Sequence, residues 1–258
     1  MINTCILGDS QDVLKTIESN SVDMVITSPP YDNLRSYNGE IIWSFDVFKN
    51  IALELARVIK VGGVIVWNVA DSTQNGSESL SSFKQTIFFN EVAGLKLHDT
   101  MIYAKENYVP LTHNRYEQSF EYLFCFSKCK PNTFNPIMLD CKTAGSKTSK
   151  RTFYQKSMDE LPTIGNKNDC VKNKKIHPNI FYYPTGNKVD GHPAQFPYQL
   201  AADQIKTWTN EQDIVLDPFA GSGTSLIAAR DLNRKFIGIE KVEKYHQLIV
   251  SRLSEKTI

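Results

Sequence analysis

Behind the apolar run Val22-Asp23-Met24-Val25-Ile26 stands Thr27-Ser28-Pro29-Pro30-Tyr31. Two adjacent prolines lack N–H donors and fix φ, so they suit neither a helix interior nor a central strand, and the strand must end there in a stiff turn. That turn offers a small hydroxyl, a prolyl carbonyl and an aromatic ring from a rigid support. The set suits an exocyclic amine on a flat aromatic base. The Ser28 hydroxyl and Pro29 carbonyl accept its N–H bonds, Pro30 stiffens the turn, and Tyr31 stacks on the ring. A strand that merely ends in a proline turn accounts for the same residues, so a second stretch has to decide.

That stretch is Leu216-Asp217-Pro218-Phe219-Ala220-Gly221-Ser222-Gly223-Thr224. Gly221 and Gly223 let the backbone turn tightly and approach a ligand with no side chain intervening. The helix that follows puts unpaired N–H groups at the same point. Glu240, about 17 residues after Gly223, ends the next strand, where an acidic side chain can accept both ribose hydroxyls. The loop is not Gly-x-Gly-x-x-Gly, and Asp217 would repel a pyrophosphate. A cationic or amino-bearing ligand such as a sulfonium nucleoside fits better. The plain alternative is a turn between strand and helix with no ligand.

Both stretches need a sheet that carries them to one edge. The pattern predicts strands over 4–8, 22–26, 64–69, 96–104, 121–126, 179–183, 213–216 and 235–240. Helices are expected over 11–18, 45–59, 79–94, 198–207, 225–232 and 242–253. Gly62-Gly63 is expected to end the second helix, and 71–78 is expected to be loop. Strand and helix alternation makes this an α/β chain with a doubly wound, mainly parallel sheet. The strands over 96–104 and 121–126 can pair as a long antiparallel hairpin at one end. Asp9 follows the first strand, where it either caps a helix or meets a ligand.

Composition narrows the class. The chain has 258 residues, with 29 basic and 28 acidic side chains and a formal net charge of +1, so any nucleic-acid surface has to be local. The positive charge gathers over 141–175, where Lys142, Lys147, Lys150, Arg151, Lys156, Lys167, Lys172, Lys174 and Lys175 face only Asp159, Glu160 and Asp169. Phe153 and Tyr154 are interleaved with them, which suits a segment that grips phosphates and reads bases; a solvated lysine-rich loop is the bland reading. Arg35 and Tyr37 lie in a polar loop just after Tyr31, able to close over a substrate. Five cysteines without Cys-x-x-Cys spacing argue for reduced thiols and against zinc. No membrane-length apolar run occurs, and a cytoplasmic protein is expected.

Taken together these motifs resemble the S-adenosylmethionine-dependent DNA amino-methyltransferases of the permuted (beta) group, in which the catalytic motif precedes the cofactor motif. Ser28-Pro29-Pro30-Tyr31 resembles the catalytic motif, and Asp217 to Thr224 with Glu240 resembles the cofactor loop and ribose carboxylate. Gly8-Asp9-Ser10, the segment 54–69 and His192-Pro193-Ala194-Gln195-Phe196-Pro197 agree with it, and only 129–178 falls outside. The resemblance implies a circularly permuted Rossmann-like methyltransferase fold with a mostly parallel seven-stranded sheet and an antiparallel hairpin at one edge. Residues 1–128 would form the catalytic half, 129–178 the basic target-recognition insertion and 179–258 the cofactor half. It implies S-adenosylmethionine as cofactor, S-adenosylhomocysteine as product, and no metal. Asp9, Asp217, Pro218, Phe219, Ala220, Gly221, Gly223, Thr224, Glu240, His192 and Phe196 would line the cofactor. Double-stranded DNA is the implied partner, contacted by Arg35, Tyr37, Lys142, Lys147, Lys150 and Arg151; a cognate restriction endonuclease and a second copy of the chain are further candidates.

The same resemblance orders the chemistry. Members that methylate cytosine carbon 5 carry Pro-Cys, and no cysteine here follows a proline. Serine in the first catalytic position goes mostly with cytosine N4, and aspartate or asparagine mostly with adenine N6. Ser28 therefore favours a flipped-out cytosine, with adenine N6 as the runner-up. A protein glutamine methyltransferase and a catalytically silent cofactor- or DNA-binding protein are the readings from other classes.

Overall fold

The computed structural model describes residues 2–30, 43–108, 114–146, 172–185 and 197–255. By its internal contacts the chain divides into two compact units, Met1–Asn135 with Asn179–Ile258, and Pro136–Pro178.

In the larger unit β1 (Thr4–Leu7) leads through Asp9 into a short helix α1 (Ser10–Val13) and a tighter turn over Leu14–Thr16. The helix expected over 11–18 is thus split and ends early. β2 (Val22–Thr27) follows, then α2 (Phe45–Val58), β3 (Ile59–Val69), a miniature hairpin β4 (Thr73–Gln74) and β5 (Ser77–Glu78), α3 (Ser81–Glu91), β6 (Lys96–Lys105) and β7 (Phe120–Ser127). The smaller unit contributes β8 (Met138–Asp140) and β9 (Lys174–Ile176), an antiparallel pair. The chain returns as β10 (Ile180–Tyr183), α4 (Tyr198–Trp208), β11 (Ile214–Asp217), α5 (Thr224–Asp231), β12 (Lys235–Glu240) and α6 (Glu243–Ser254).

The main sheet has eight strands in the order β1-β12-β11-β2-β3-β7-β6-β10. Every neighbouring pair is parallel except the two made by β7. The β6–β7 hairpin is present, but it does not form the edge. The aromatic strand Ile180–Tyr183, expected as a strand, adds beside β6 in parallel register, Phe181 opposite Tyr103, and makes an eighth strand in the sheet where the resemblance implied seven. At the other edge β1 lies against β12, Thr4 opposite Ile237, and His246 of α6 contacts the Cys5 carbonyl at 3.0 Å. The last helix therefore packs where a helix leading into β1 would lie, which is how a permuted chain keeps an unbroken sheet.

Two sequence expectations fail for local reasons. Gly62-Gly63 does not cap α2, because the chain enters β3 directly after Val58. The glycines lie within the strand, at a register shift in the β2–β3 pairing. Gly62 has φ +77, and a Cβ on Gly63 would meet the Asp23 carbonyl at 2.8 Å. Only glycine allows that bulge. The loop over 71–78 closes as a hairpin because Asn75 and Gly76 both take positive φ, 50 and 79, the signature of a two-residue hairpin turn.

The core on one side of the sheet is aromatic. Phe48 of α2 and Phe89 of α3 pack edge-on against the fully buried Trp67 of β3, with centroids 5.8 and 5.2 Å away. Burying each such ring stabilises by roughly 2–3 kcal/mol. Ser44 fixes the start of α2 by accepting the Val47 N–H at 3.2 Å. These layers hold the carboxyl ends of β2, β3, β11 and β12 along one edge, and the chemical residues sit there.

Candidate active site

β2 and β11 are direct neighbours, with Leu216 opposite Val25, so Thr27 and Asp217 end their strands side by side. The Thr27 hydroxyl donates to Asp217 Oδ1 at 2.6 Å across 190 residues of sequence. The same oxygen accepts the Phe219 N–H at 3.0 Å, and Ser225 donates to Oδ2. Asp217 is therefore a buried knot that ties the Ser28 turn, the glycine loop and α5 together. Burial pushes its carboxyl pKa up, against the pull of the Ser225, Thr27 and Phe219 bonds. Its carboxylate is buried and faces no open loop surface. After Thr27, Ser28 is half-buried and Pro29 and Pro30 are buried. Tyr31, Arg35 and Tyr37 lie outside the described residues.

The glycine loop is held from several sides. Pro218 accepts a hydrogen bond from the Ser10 hydroxyl, and Phe219 meets Trp43 edge-on at 5.4 Å. Ala220 donates to the Ile239 carbonyl at 3.0 Å, and Gly223 donates to Ala220 at 2.7 Å. Gly221 and Gly223 have φ 55 and 78, and a Cβ on Gly223 would approach Ile249 to 3.0 Å. The loop then enters α5 at Thr224. Glu240 Oε2 accepts the Gly221 N–H and Oε1 the Val242 N–H, each at 2.8 Å. Burial raises its pKa over the opposing backbone bonds. Each oxygen keeps a lone pair for a ribose hydroxyl, and the glycines leave room at the loop. The residues present fit a nucleoside bearing positive charge.

Asp9 reaches the same edge because Gly8 donates to the Glu240 carbonyl at 2.9 Å. It caps α1 by accepting the Gln11 N–H at 2.9 Å and pairs with Lys241 at 2.9 Å. Partial burial pushes its carboxyl up, but the Lys241 ion pair and the Gln11 bond outweigh this and hold it below the usual range. His192 and Phe196 are outside the described residues, as are Lys147, Lys150 and Arg151. Lys142 lies exposed in a turn after β8, in the smaller unit.

Thr27, Ser10, Ser225, Trp43 and Lys241 hold this edge together; Thr27 and Ser10 lie within motifs the sequence singled out, while Ser225, Trp43 and Lys241 carried no signal of their own. Further along the edge the ends of β3, β6 and β7 border a cavity of about 980 Å³ lined by Asp71, Lys105, Tyr108, Arg115, Phe120 and Tyr122 among others. Beside it, Glu121 is buried and takes the Asn68 amide at 2.6 Å and Lys105 at 2.9 Å. A lone amide in Val64-Ile65-Val66-Trp67-Asn68-Val69 and a lone carboxylate in Phe120-Glu121-Tyr122-Leu123-Phe124 were the readable signs. Among the described residues no three His, Cys, Asp or Glu side chains gather to hold a metal ion, and no helix is long and apolar enough to cross a membrane.

Residues 22–251 match the family described as DNA methylase, the N6 and N4 methyltransferases. The chain belongs to the DNA methylase family. This methylase is 44% identical over 247 residues to the orphan methyltransferase M.BamHII of Bacillus amyloliquefaciens, covering 92% of the chain and 91% of the relative. Its fold is similar to that of PvuII DNA methyltransferase (cytosine-N4-specific), with a TM-score of 0.72, 20% identity and coverage of 98% and 87%. It is also similar to M1.HpyAVI, solved as a complex with SAM, with a TM-score of 0.65, 25% identity and coverage of 98% and 99%.

Proposed function

We propose that this DNA methylase transfers a methyl group from S-adenosylmethionine to the N4 amine of a cytosine flipped out of double-stranded DNA. The observation that supports it most is the Thr27–Asp217 hydrogen bond, which joins the Ser-Pro-Pro turn to the glycine loop at one sheet edge. An amine acceptor and a nucleoside loop anywhere else on the surface could not cooperate.

S-adenosylmethionine supplies a methyl group already activated on a sulfonium. Glu240 would accept the ribose hydroxyls, Gly221 and Gly223 would let the backbone approach, and the buried charge of Asp217 and Glu240 would favour a cationic ligand. The Ser28 hydroxyl and Pro29 carbonyl would accept the two N–H bonds of the target amine. That draws its lone pair out of the ring and towards the methyl carbon, an interaction strongest in the transition state. The nitrogen forms the new N–C bond, sulfur leaves with the C–S pair as S-adenosylhomocysteine, and the surplus N–H proton passes to water. Tyr31 stacking would offset part of the cost of extrusion, roughly a few kcal/mol. Nothing here calls for a cysteine nucleophile.

Ser28 is what favours cytosine over adenine. The basic segment in 129–178 would grip the backbone and read sequence, with Lys142, Lys147, Lys150 and Arg151 on phosphates or base edges. The role would be site-specific modification, either beside a cognate endonuclease or alone. Incubation with methyl-labelled S-adenosylmethionine and DNA, followed by nucleoside mass spectrometry, tests the whole. N4-methylcytosine is expected; N6-methyladenine would correct the base, label in protein would point to a glutamine methyltransferase, and cofactor binding without transfer to a silent binder.

A further inference from the structure

Asn68 interrupts the apolar run Val64-Ile65-Val66-Trp67-Asn68-Val69 of β3, and both it and Glu121 are buried, at 2% and 7% exposure. Burying an amide against a carboxylate in the middle of a sheet is less favourable than burying two well-packed apolar side chains. Something at this place therefore needs them. The register says what lies beside them. Thr27 is opposite Trp67 at the last paired position of the parallel β2–β3 pair, and Ser28 and Asn68 are the residues that follow it on the two chains. Glu121 Oε2 takes the Asn68 Nδ2 hydrogen at 2.6 Å from the next strand over. Lys105 of β6 holds the other carboxylate oxygen at 2.9 Å. A chain of polar contacts thus runs across three strands, β3, β7 and β6, and begins next to the amine acceptor.

We propose that Asn68 and Glu121 are positioning residues for the methyl transfer: Glu121 clamps the Asn68 amide, and Asn68 fixes the strand edge that carries Ser28. The inference rests on the function proposed above. An in-line attack tolerates little misplacement of the amine, and a side chain locked from a neighbouring strand gives the turn a rigid wall. Lys105 holds the second carboxylate oxygen in place. The bond changes of the transfer are unaltered by this role, since neither residue takes or gives a proton.

The test uses the full chain. Asn68→Val and Glu121→Leu are expected to slow single-turnover transfer at saturating DNA and cofactor at least tenfold. Cofactor Kd and duplex Kd should stay within twofold, and 2-aminopurine fluorescence at the target should still report extrusion. The double variant should be no slower than the worse single one, because both act through one contact. Glu121→Gln keeps the oxygen that Asn68 needs and should recover most of the rate; Asn68→Val is the variant to read if Leu impairs folding. Transfer at the parental rate in Asn68→Val or in Glu121→Leu overturns the inference, and so does a loss that lies wholly in cofactor or duplex Kd. A parent that methylates no DNA would overturn the functional reading itself, which these outcomes keep separate.

Discussion

The two halves of the sheet's carboxyl edge bury negative charge in different ways. On the β11–β12 side, Asp217 and Glu240 are held only by neutral donors among the described residues: hydroxyls of Thr27 and Ser225 and the N–H groups of Phe219, Gly221 and Val242. On the β6–β7 side, Glu121 has the Lys105 ammonium at 2.9 Å. The first half keeps its charge uncompensated, and the buried Cys5 thiol registers it. Desolvation, then the fields of Glu240 and Asp217, push that thiol up to about 12. The second half is neutral as a pair. A cationic sulfonium suits the first environment and an uncharged base the second, so the difference separates where each ligand is expected to lie.

The largest break of this contrast is Asp217→Ala. It strands the buried Thr27 and Ser225 hydroxyls and the partly buried Phe219 N–H, donors that cost on the order of 1–3 kcal/mol each when buried and unsatisfied. A loss of about 3 kcal/mol or more is expected, a fall in Tm on the order of 10 °C for a chain of this size. Asp217→Asn sharpens the point, because its oxygen can still serve Thr27 and Phe219 while the charge is gone. Its folded state should match or exceed the parent's stability, with cofactor affinity reduced at least tenfold by calorimetry. Unchanged affinity would show that the charge is structural and does not hold the ligand. The same logic has a pH form. Both carboxyls have raised pKa values in the folded state, so the native protein binds these protons more tightly than the unfolded chain. As pH falls from 7 towards the ordinary carboxylate range near 4, their contribution to apo stability should rise while cofactor affinity falls.

Gly223→Ala comes next. A non-glycine residue at φ 78 costs about 1–2 kcal/mol, and the new methyl crowds Ile249. Weaker cofactor binding with near-parental DNA affinity is expected. Equal losses in both would mean that the loop serves the fold as a whole. Thr27→Val removes only the hydroxyl that links the halves, and about 1–2 kcal/mol should go. In a double-mutant cycle with Ser225→Ala the two losses should be non-additive, since both hydroxyls serve Asp217.

Much of this edge was legible in the sequence because strand ends, prolines and glycines act locally. Pro29-Pro30 and Gly221-Ser222-Gly223 announce turns whatever surrounds them, and alternation of strand and helix puts such turns at one edge. What could not be read is set by pairing across the sheet. Nothing near Thr27 says that it will bond Asp217, and nothing near Asn68 names Glu121; only the order β11-β2-β3-β7 brings them together. Gly62-Gly63 misled for a related reason: a glycine pair after a helical pattern reads as a cap, but close approach of the Asp23 carbonyl made it a bulge. The strand at 180–183 was expected, but its place beside β6 was not, because four residues after a long variable stretch carry no partner information.

The smallest effect is that of Lys241→Met, and it tests the sign of the contrast at its margin. Asp9 lies on the cofactor side, yet it has a cation, and its pKa is lowered where those of Asp217 and Glu240 are raised. A depressed folded pKa means that Asp9 contributes stability above the unfolded value near 3.9 and loses it as pH falls through the folded value. Lys241 is about half exposed, at 48% for its side chain, so solvent screening limits the pair to less than about 1 kcal/mol. Urea midpoints of the parent and the variant should therefore differ by a few tenths of a kcal/mol at pH 7, hold that gap down to about pH 4, and converge below it. A gap that persists unchanged to pH 3 would mean that the lysine matters through its aliphatic stem, and Asp9 would then stand with the uncompensated carboxylates as a charge open to the cofactor.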